Sequence, residues 1–162
     1  MKKSKINEDS RNTNKLRFYS FLKGSFTREP YIDLVKNRSQ REWLTRLRIS
    51  AHHLKIETGR WTRPVTPLQN RICTYCDTNT VDDEKHFLHD CNIFALKRSC
   101  FFFKMSSVHR NFLNLDTDSK VSKMLCPSDV CSAKLVNSYI GILTKSRRKI
   151  DEGYSVQSLG YI

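Results

Sequence analysis

Apolar positions recur along this chain at helical spacing, in short runs broken by turn residues rather than in strict alternation. Leu16, Phe18, Tyr19, Phe21 and Leu22 predict a short helix stopped near Gly24, and Pro30, Tyr31, Leu34 and Val35 predict a second short segment. The clearest pattern follows. Ser39-Gln40-Arg41-Glu42 reads as a capping box, in which Ser39 and Glu42 satisfy each other's free backbone donors at a helix start. Trp43, Leu44, Leu47, Ala51 and Leu54 then form one apolar stripe, with Gly59 as its stop. Arg41, Arg48 and Lys55 fall on the opposite side of that helix, with Arg46 on its flank.

Pro64 and Pro67 disfavour helix in the residues before them, so Arg60-Trp61-Thr62-Arg63-Pro64 and Thr66-Pro67 predict a stiff connection. Beyond Cys91 a helix is predicted with Ile93, Phe94, Leu96, Cys100, Phe101 and Met105 near one side, and Phe101-Phe102-Phe103 reads as core. A short helix near Asp118–Leu125 ends before Pro127. A last one runs from about 128 to 150, with Val136, Tyr139, Ile140 and Leu143 on its buried face. Arg147-Arg148-Lys149 suit its negative C-terminal end. The polar, basic start, residues 1–13, predicts a disordered tail, and the chain from Asp151 to residue 162 a loose one. There are no internal repeats. The pattern predicts a mainly α fold, one small helical domain over residues 14–150.

Composition changes that picture in two respects. The chain has 162 residues, 38% of them hydrophobic, which is enough for one core. No apolar run approaches transmembrane length, and the start lacks the apolar region of a secretory signal. A reducing compartment, nucleus or cytoplasm, is therefore expected, where cysteines stay as thiols or bind metal. The net charge is +13, and residues 1–63 carry sixteen Lys or Arg against six Asp or Glu. Such a basic half predicts a polyanionic partner, nucleic acid before a membrane surface, since no basic amphipathic anchor stands out.

Candidate chemistry centres on Cys73, Cys76, His86 and Cys91. Thiolates and imidazole are the ligands zinc prefers, and a structural site takes four in a tetrahedron with no position left for water. The Cys-x-x-Cys pair can aim both sulfurs at one ion, and the second pair closes the site. On one straight helix His86 and Cys91 would lie about 140° apart. Both can chelate only if the helix breaks between them, which Asp90 and Asn92 allow. Asp82, Asp83 and Glu84 suit the start of a short helical turn carrying His86. His89 is the rival ligand, disfavoured by a cramped His-x-Cys chelate. One structural zinc is thus expected, in a loop spanning about 70–95 inserted in the helical domain. Cys100, Cys126 and Cys131 read as small buried apolar residues; a second site from Cys126, Cys131 and His109 is the weaker alternative.

The stretch from Leu44 to Phe94 resembles the C-terminal zinc-binding region of non-LTR retrotransposon reverse transcriptases. The likeness rests on the arginines Arg46 and Arg48, on Gly59 through Pro64, on Cys73 and Cys76, on Asp82 through Glu84, and on His86 and Cys91. It extends weakly from Leu16 to Ile150, and departs at His89, where an apolar or aromatic residue would be expected. The resemblance implies the tail of a retroelement polyprotein, standing alone as a remnant, which in a full-length parent would adjoin the polymerase core. The paired aspartates that a polymerase needs for two metals are missing: Tyr31-Ile32-Asp33-Leu34 holds a single acid. An endonuclease domain does not fit in this length. A non-catalytic role is expected.

Two functions compete. As a module for RNA or other single-stranded nucleic acid, the chain would contact phosphates through Arg46, Arg48, Lys55, Arg60 and Arg63. Trp61 and Tyr75 would stack on unpaired bases, Tyr75 pointing outward from between the first two cysteines. Trp61 could equally pack on the helix. As a structural or protein-interaction module, the chain would be zinc-stapled without intrinsic nucleic-acid binding. A metal hydrolase would need an open zinc position and a base, for which Glu84 is the local candidate.

Overall fold

Helices dominate the computed structural model, which describes residues 16–23 and 27–155. The predicted tail at 1–13, the stop at Gly24 and the end of the chain from 156 lie outside the described residues. Among the described residues seven α-helices follow in order: α1 (Arg17–Leu22), α2 (Pro30–Leu34), α3 (Arg38–Arg48), α4 (Lys55–Thr58), α5 (Ala95–Val108), α6 (Thr117–Leu125) and α7 (Val130–Asp151). No strand occurs among the described residues. An antiparallel bridge pairs Ile72 with Val81. No helix among them is long and apolar enough to cross a membrane.

The long α7 organises the rest, packing against α2, α3, α5 and α6. Ala133, Val136, Ile140, Leu143 and Arg147 are buried along it at three- and four-residue spacing, which makes one inward stripe. Tyr139 stacks face to face on Phe101 of α5, centroids 4.1 Å apart, and its hydroxyl donates to the Leu88 carbonyl at 2.8 Å. One side chain thus ties two helices to the loop that carries His86. The core runs continuously from Tyr31 and Leu44 through Phe87, Phe94 and Met105 to Leu143, and each such side chain contributes on the order of 1.5–3 kcal/mol by burial.

Three expectations about α3 need correction. Its N-cap is Asn37, whose side chain accepts from the Gln40 N–H at 3.1 Å. Ser39 therefore lies inside the helix, and Glu42 pairs with Arg46 one turn on, at 2.7 Å. Asparagine is among the best N-caps, and it starts the helix earlier than a Ser39 cap would. The apolar stripe does not continue through Ala51 and Leu54 on one helix. Ser50 has φ 52°, the left-handed conformation that ends helices. The Ala51 N–H then bonds back to the Arg46 carbonyl at 2.8 Å, closing the helix end. Glycine usually fills such a position. Serine holds it here because its hydroxyl donates to buried Glu84 at 2.9 Å. Lys55 consequently opens a separate helix, α4.

The cysteines outside the cluster also differ from expectation. Cys100 and Cys131 are exposed and Cys126 is half-buried. On α5, burying Phe101 and Met105 turns Cys100 outward, along with Leu96 and Phe103, the last 75% exposed. The Phe101–Phe103 run is thus core at one end and surface at the other. Asp151 is the last residue of α7, not the start of a loose tail, and its carboxylate accepts a hydrogen bond from the Tyr75 hydroxyl at 2.9 Å.

Candidate functional site

Cys73 and Cys76 sit on a tight knuckle. The Ile72–Val81 bridge closes it, with the Cys73 N–H donating to the Thr80 carbonyl and the Asp82 N–H to the Arg71 carbonyl, both at 2.9 Å. Asn79 takes the left-handed turn, φ 51°, which asparagine tolerates. Asp83 caps the next turn, its carboxylate accepting from the His86 N–H at 2.7 Å. The chain then widens into a π-helical turn over His86–Asp90, in which the Cys91 N–H reaches the His86 carbonyl at 2.8 Å. This is the break the spacing demands. The wider turn and the extended backbone of Cys91 swing its sulfur to the side on which His86 lies.

The donor atoms of Cys73, Cys76, His86 and Cys91 all lie within 4.8 Å of one another, and the four residues could hold a metal ion. With metal–sulfur bonds of about 2.3 Å and metal–nitrogen bonds of about 2.0 Å, tetrahedral edges are roughly 3.5–3.8 Å. Cys76 Sγ and His86 Nε2 are 3.4 Å apart, close to such an edge. His86 Nδ1 lies 2.8 Å from Thr80 Oγ1. Donation from Nδ1 to that hydroxyl leaves the Nε2 lone pair facing the sulfurs, the usual way a ligand imidazole is oriented from behind. His89 is not part of the cluster; its Nδ1 lies 2.7 Å from Asp90 and its ring rests near Phe102.

Arg147 reinforces the site from α7. Its guanidinium donates to both Asp82 oxygens, at 2.6 and 3.0 Å, and approaches Cys73 Sγ at 3.8 Å. It also lies 4.6 Å from the ring centres of both Tyr75 and Phe87. Asp82 in turn accepts from the Lys55 N–H at 3.1 Å, so one buried acid joins the knuckle, α4 and α7. A hydrogen bond from the Cys91 thiol, helped by His86 and the Arg147 charge, holds Cys73 down to about 3, while Cys91 is driven upward as the donor of that bond.

The predicted nucleic-acid contacts separate into two groups. Arg48 is 1% exposed and belongs to the core. It donates to Glu29 and to the Leu125 carbonyl, each at 2.5 Å, and stacks on Tyr31. It satisfies the C-terminal end of α6 rather than facing a phosphate. Tyr75 is half-buried beneath Arg147 instead of pointing outward; burial, then the Asp151 carboxylate, push its phenol up to about 12. Arg46 is partly exposed but paired with Glu42, and Arg60 lies 3.5 Å from Glu57. Lys55, Trp61 and Arg63 are exposed, Trp61 by 77%.

Residues Gly59–Thr66 form a held loop. The Thr66 N–H donates to the Gly59 carbonyl at 3.0 Å, and the Thr62 hydroxyl bonds both Gly59 O, at 3.0 Å, and Thr66 Oγ1, at 2.8 Å. Arg71 clamps it from behind, donating to the Thr66 carbonyl at 2.9 Å and the Ile56 carbonyl at 2.7 Å. A Cβ on Gly59 would meet the Arg71 stem at 2.7 Å, so glycine is required there by close approach. Thr80, Asp82, Arg147 and Arg71 were not read from sequence as site residues. Arg147 carried a signal: it continues the α7 stripe of Val136, Ile140 and Leu143 and so had to face inward.

Family models, characterised proteins and solved structures give no match to this chain. Its function must be read from this geometry.

Proposed function

We propose that this chain is a non-catalytic, zinc-stapled module that binds RNA or other single-stranded nucleic acid, related to the C-terminal region of a non-LTR retrotransposon reverse transcriptase. Three thiolates and an imidazole are a soft, tetrahedral donor set that favours zinc over magnesium or calcium. All four ligands come from the protein, which leaves no position for a reacting water, so the ion's role is to fold the loop. Zinc with three thiolates carries a net negative charge, which Arg147 offsets. Such a module would work in the nucleus or cytoplasm, where the thiols stay reduced.

The nucleic-acid part of the reading is carried by one observation: Trp61 stands 77% exposed between Arg60 and Arg63 on a loop fixed from behind. An exposed indole on a rigid support, flanked by cations, is what stacking on an unpaired base requires. The test is a titration of single-stranded RNA against salt. Each phosphate contact contributes a slope of about −0.7 in log K against log salt. Arg60→Ala with Arg63→Ala should reduce that slope by about one unit, and Trp61→Ala should weaken binding by about 1–3 kcal/mol at unchanged slope. Affinity that ignores salt, or none at low salt, would transfer the assignment to a protein-interaction module. The outward Leu96 and Phe103 of α5 favour that second reading.

A further inference from the structure

A groove of about 440 Å³ opens beside α7, away from the Trp61 loop in sequence and lined in part by α3 and by the segment between α3 and α4. Leu47, Leu54 and Phe87 are buried in its lining together with His52 and Arg147, and the rings of Trp43 and Tyr75 form part of its walls, the Arg147 guanidinium lying against Tyr75. On α7, Gly141, Thr144, Lys145 and Arg148 line it at three- and four-residue spacing, so they share one helical face. Gly141 is the informative residue. Glycine inside a helix is less stable than alanine, and a Cβ here would meet nothing within 4 Å. Neither packing nor backbone conformation demands glycine at this position; its effect is to keep the groove open.

The rim is cationic. Lys145 is exposed and has no ionic or hydrogen-bonding partner among the described residues. Arg148 makes one loose, exposed contact with Glu152, at 3.5 Å. The acid in the lining, Asp151, is held by the Tyr75 hydroxyl. An aromatic-walled slot with exposed cations at its edge matches a flat ring that carries an anion. We propose that this groove takes one unpaired nucleotide, its base against Trp43 and Tyr75 over Gly141 and its phosphate at Lys145 and Arg148. The inference deepens the nucleic-acid reading and rests on it, since the nucleotide would belong to the bound strand. The volume is within the range of small-ligand sites.

The chain has two tryptophans, Trp43 and Trp61, so Trp61→Phe leaves Trp43 as the sole reporter. In that background, adenosine monophosphate and a 5′-phosphorylated oligoadenylate should each quench Trp43 fluorescence saturably, the strand at lower concentration. Gly141→Phe fills the groove and Lys145→Glu reverses its rim; each should weaken quenching about tenfold or more, as expected for a lost charged contact or a lost site. Gly141→Ala should fold at least as well as the parent, which controls for stability, and retained metal verifies the fold of Gly141→Phe. No quenching by either probe, while RNA binding keeps its salt slope, overturns the groove and leaves the nucleic-acid reading intact. Equal quenching in both variants likewise overturns it. Quenching by the mononucleotide without any strand binding would support the groove as a free-nucleotide site and refute the strand reading.

Discussion

Between Cys73 and Cys91 the chain turns its chemistry inward, while between Gly59 and Thr66 it turns its side chains out and is held only from behind. In the first region every donor has a backbone or second partner: the bridge for Cys73, the Thr78 hydroxyl for Cys76, Thr80 for His86, the π-helical turn for Cys91. In the second, the fixing contacts come from Arg71 and two threonines, and the side chains of Trp61 and Arg63 stand exposed. Under the proposed function the first arrangement serves stability. The second would then meet another molecule. Arginine takes part in both, so charge alone does not say which role a residue plays. Arg48 and Arg147 are buried structural cations, and Arg63 is a surface one.

The largest effect should come from the metal loop. Cys76→Ser removes a ligand from a site whose metal contributes apparent folding energy on the order of 10 kcal/mol. Limited proteolysis should then cut within residues 71–94, which should resist cleavage in the parent. Full protection without metal would dissolve the contrast between the two regions.

Next in size are the buried arginines. Arg147→Ala strands the buried Asp82 carboxylate and should cost about 3–5 kcal/mol in urea unfolding. Arg48→Ala should cost a similar amount by abandoning Glu29 and the end of α6. Arg63→Ala should change stability by less than about 0.5 kcal/mol. Comparable losses at all three positions would show that the basic loop is structural after all.

Thr80→Val tests the orientation of His86. It removes the hydroxyl behind Nδ1 and should lower metal affinity about 10- to 100-fold, read by competition with a chelator. Smallest is the helix cap. Asn37→Ala should destabilise by about 1 kcal/mol, whereas Ser39→Ala should be close to neutral.

That last pair marks where sequence was ambiguous. Asn37 and Ser39 are both good caps, and only the register of α3 chooses between them. The caps of α6 and α7, Asp116 and Asp129, were not read, but the bounds of both helices were legible to within two residues from apolar spacing and Pro127. The end of α3 was not. Its apolar stripe continues past Arg48 in phase, and the left-handed turn falls on Ser50, not on a glycine. The four donors were legible from spacing, including the need for a break before Cys91. The positioning groups Thr80, Asp82 and Arg147 were not, because they come from three separate segments that only the fold brings together. Arg48 was misplaced because an arginine in a basic helix resembles a surface residue until the contacts from Glu29 and Leu125 are known.

The central claim, an inward staple beside an outward binding loop, stands first on the ion. Native mass spectrometry of the purified chain reads its identity and count directly. One zinc per chain is predicted, retained in His89→Ala and absent from His86→Ala and Cys76→Ser. A chain that carries no zinc, carries iron instead, or keeps its metal when His86 is replaced would contradict the account.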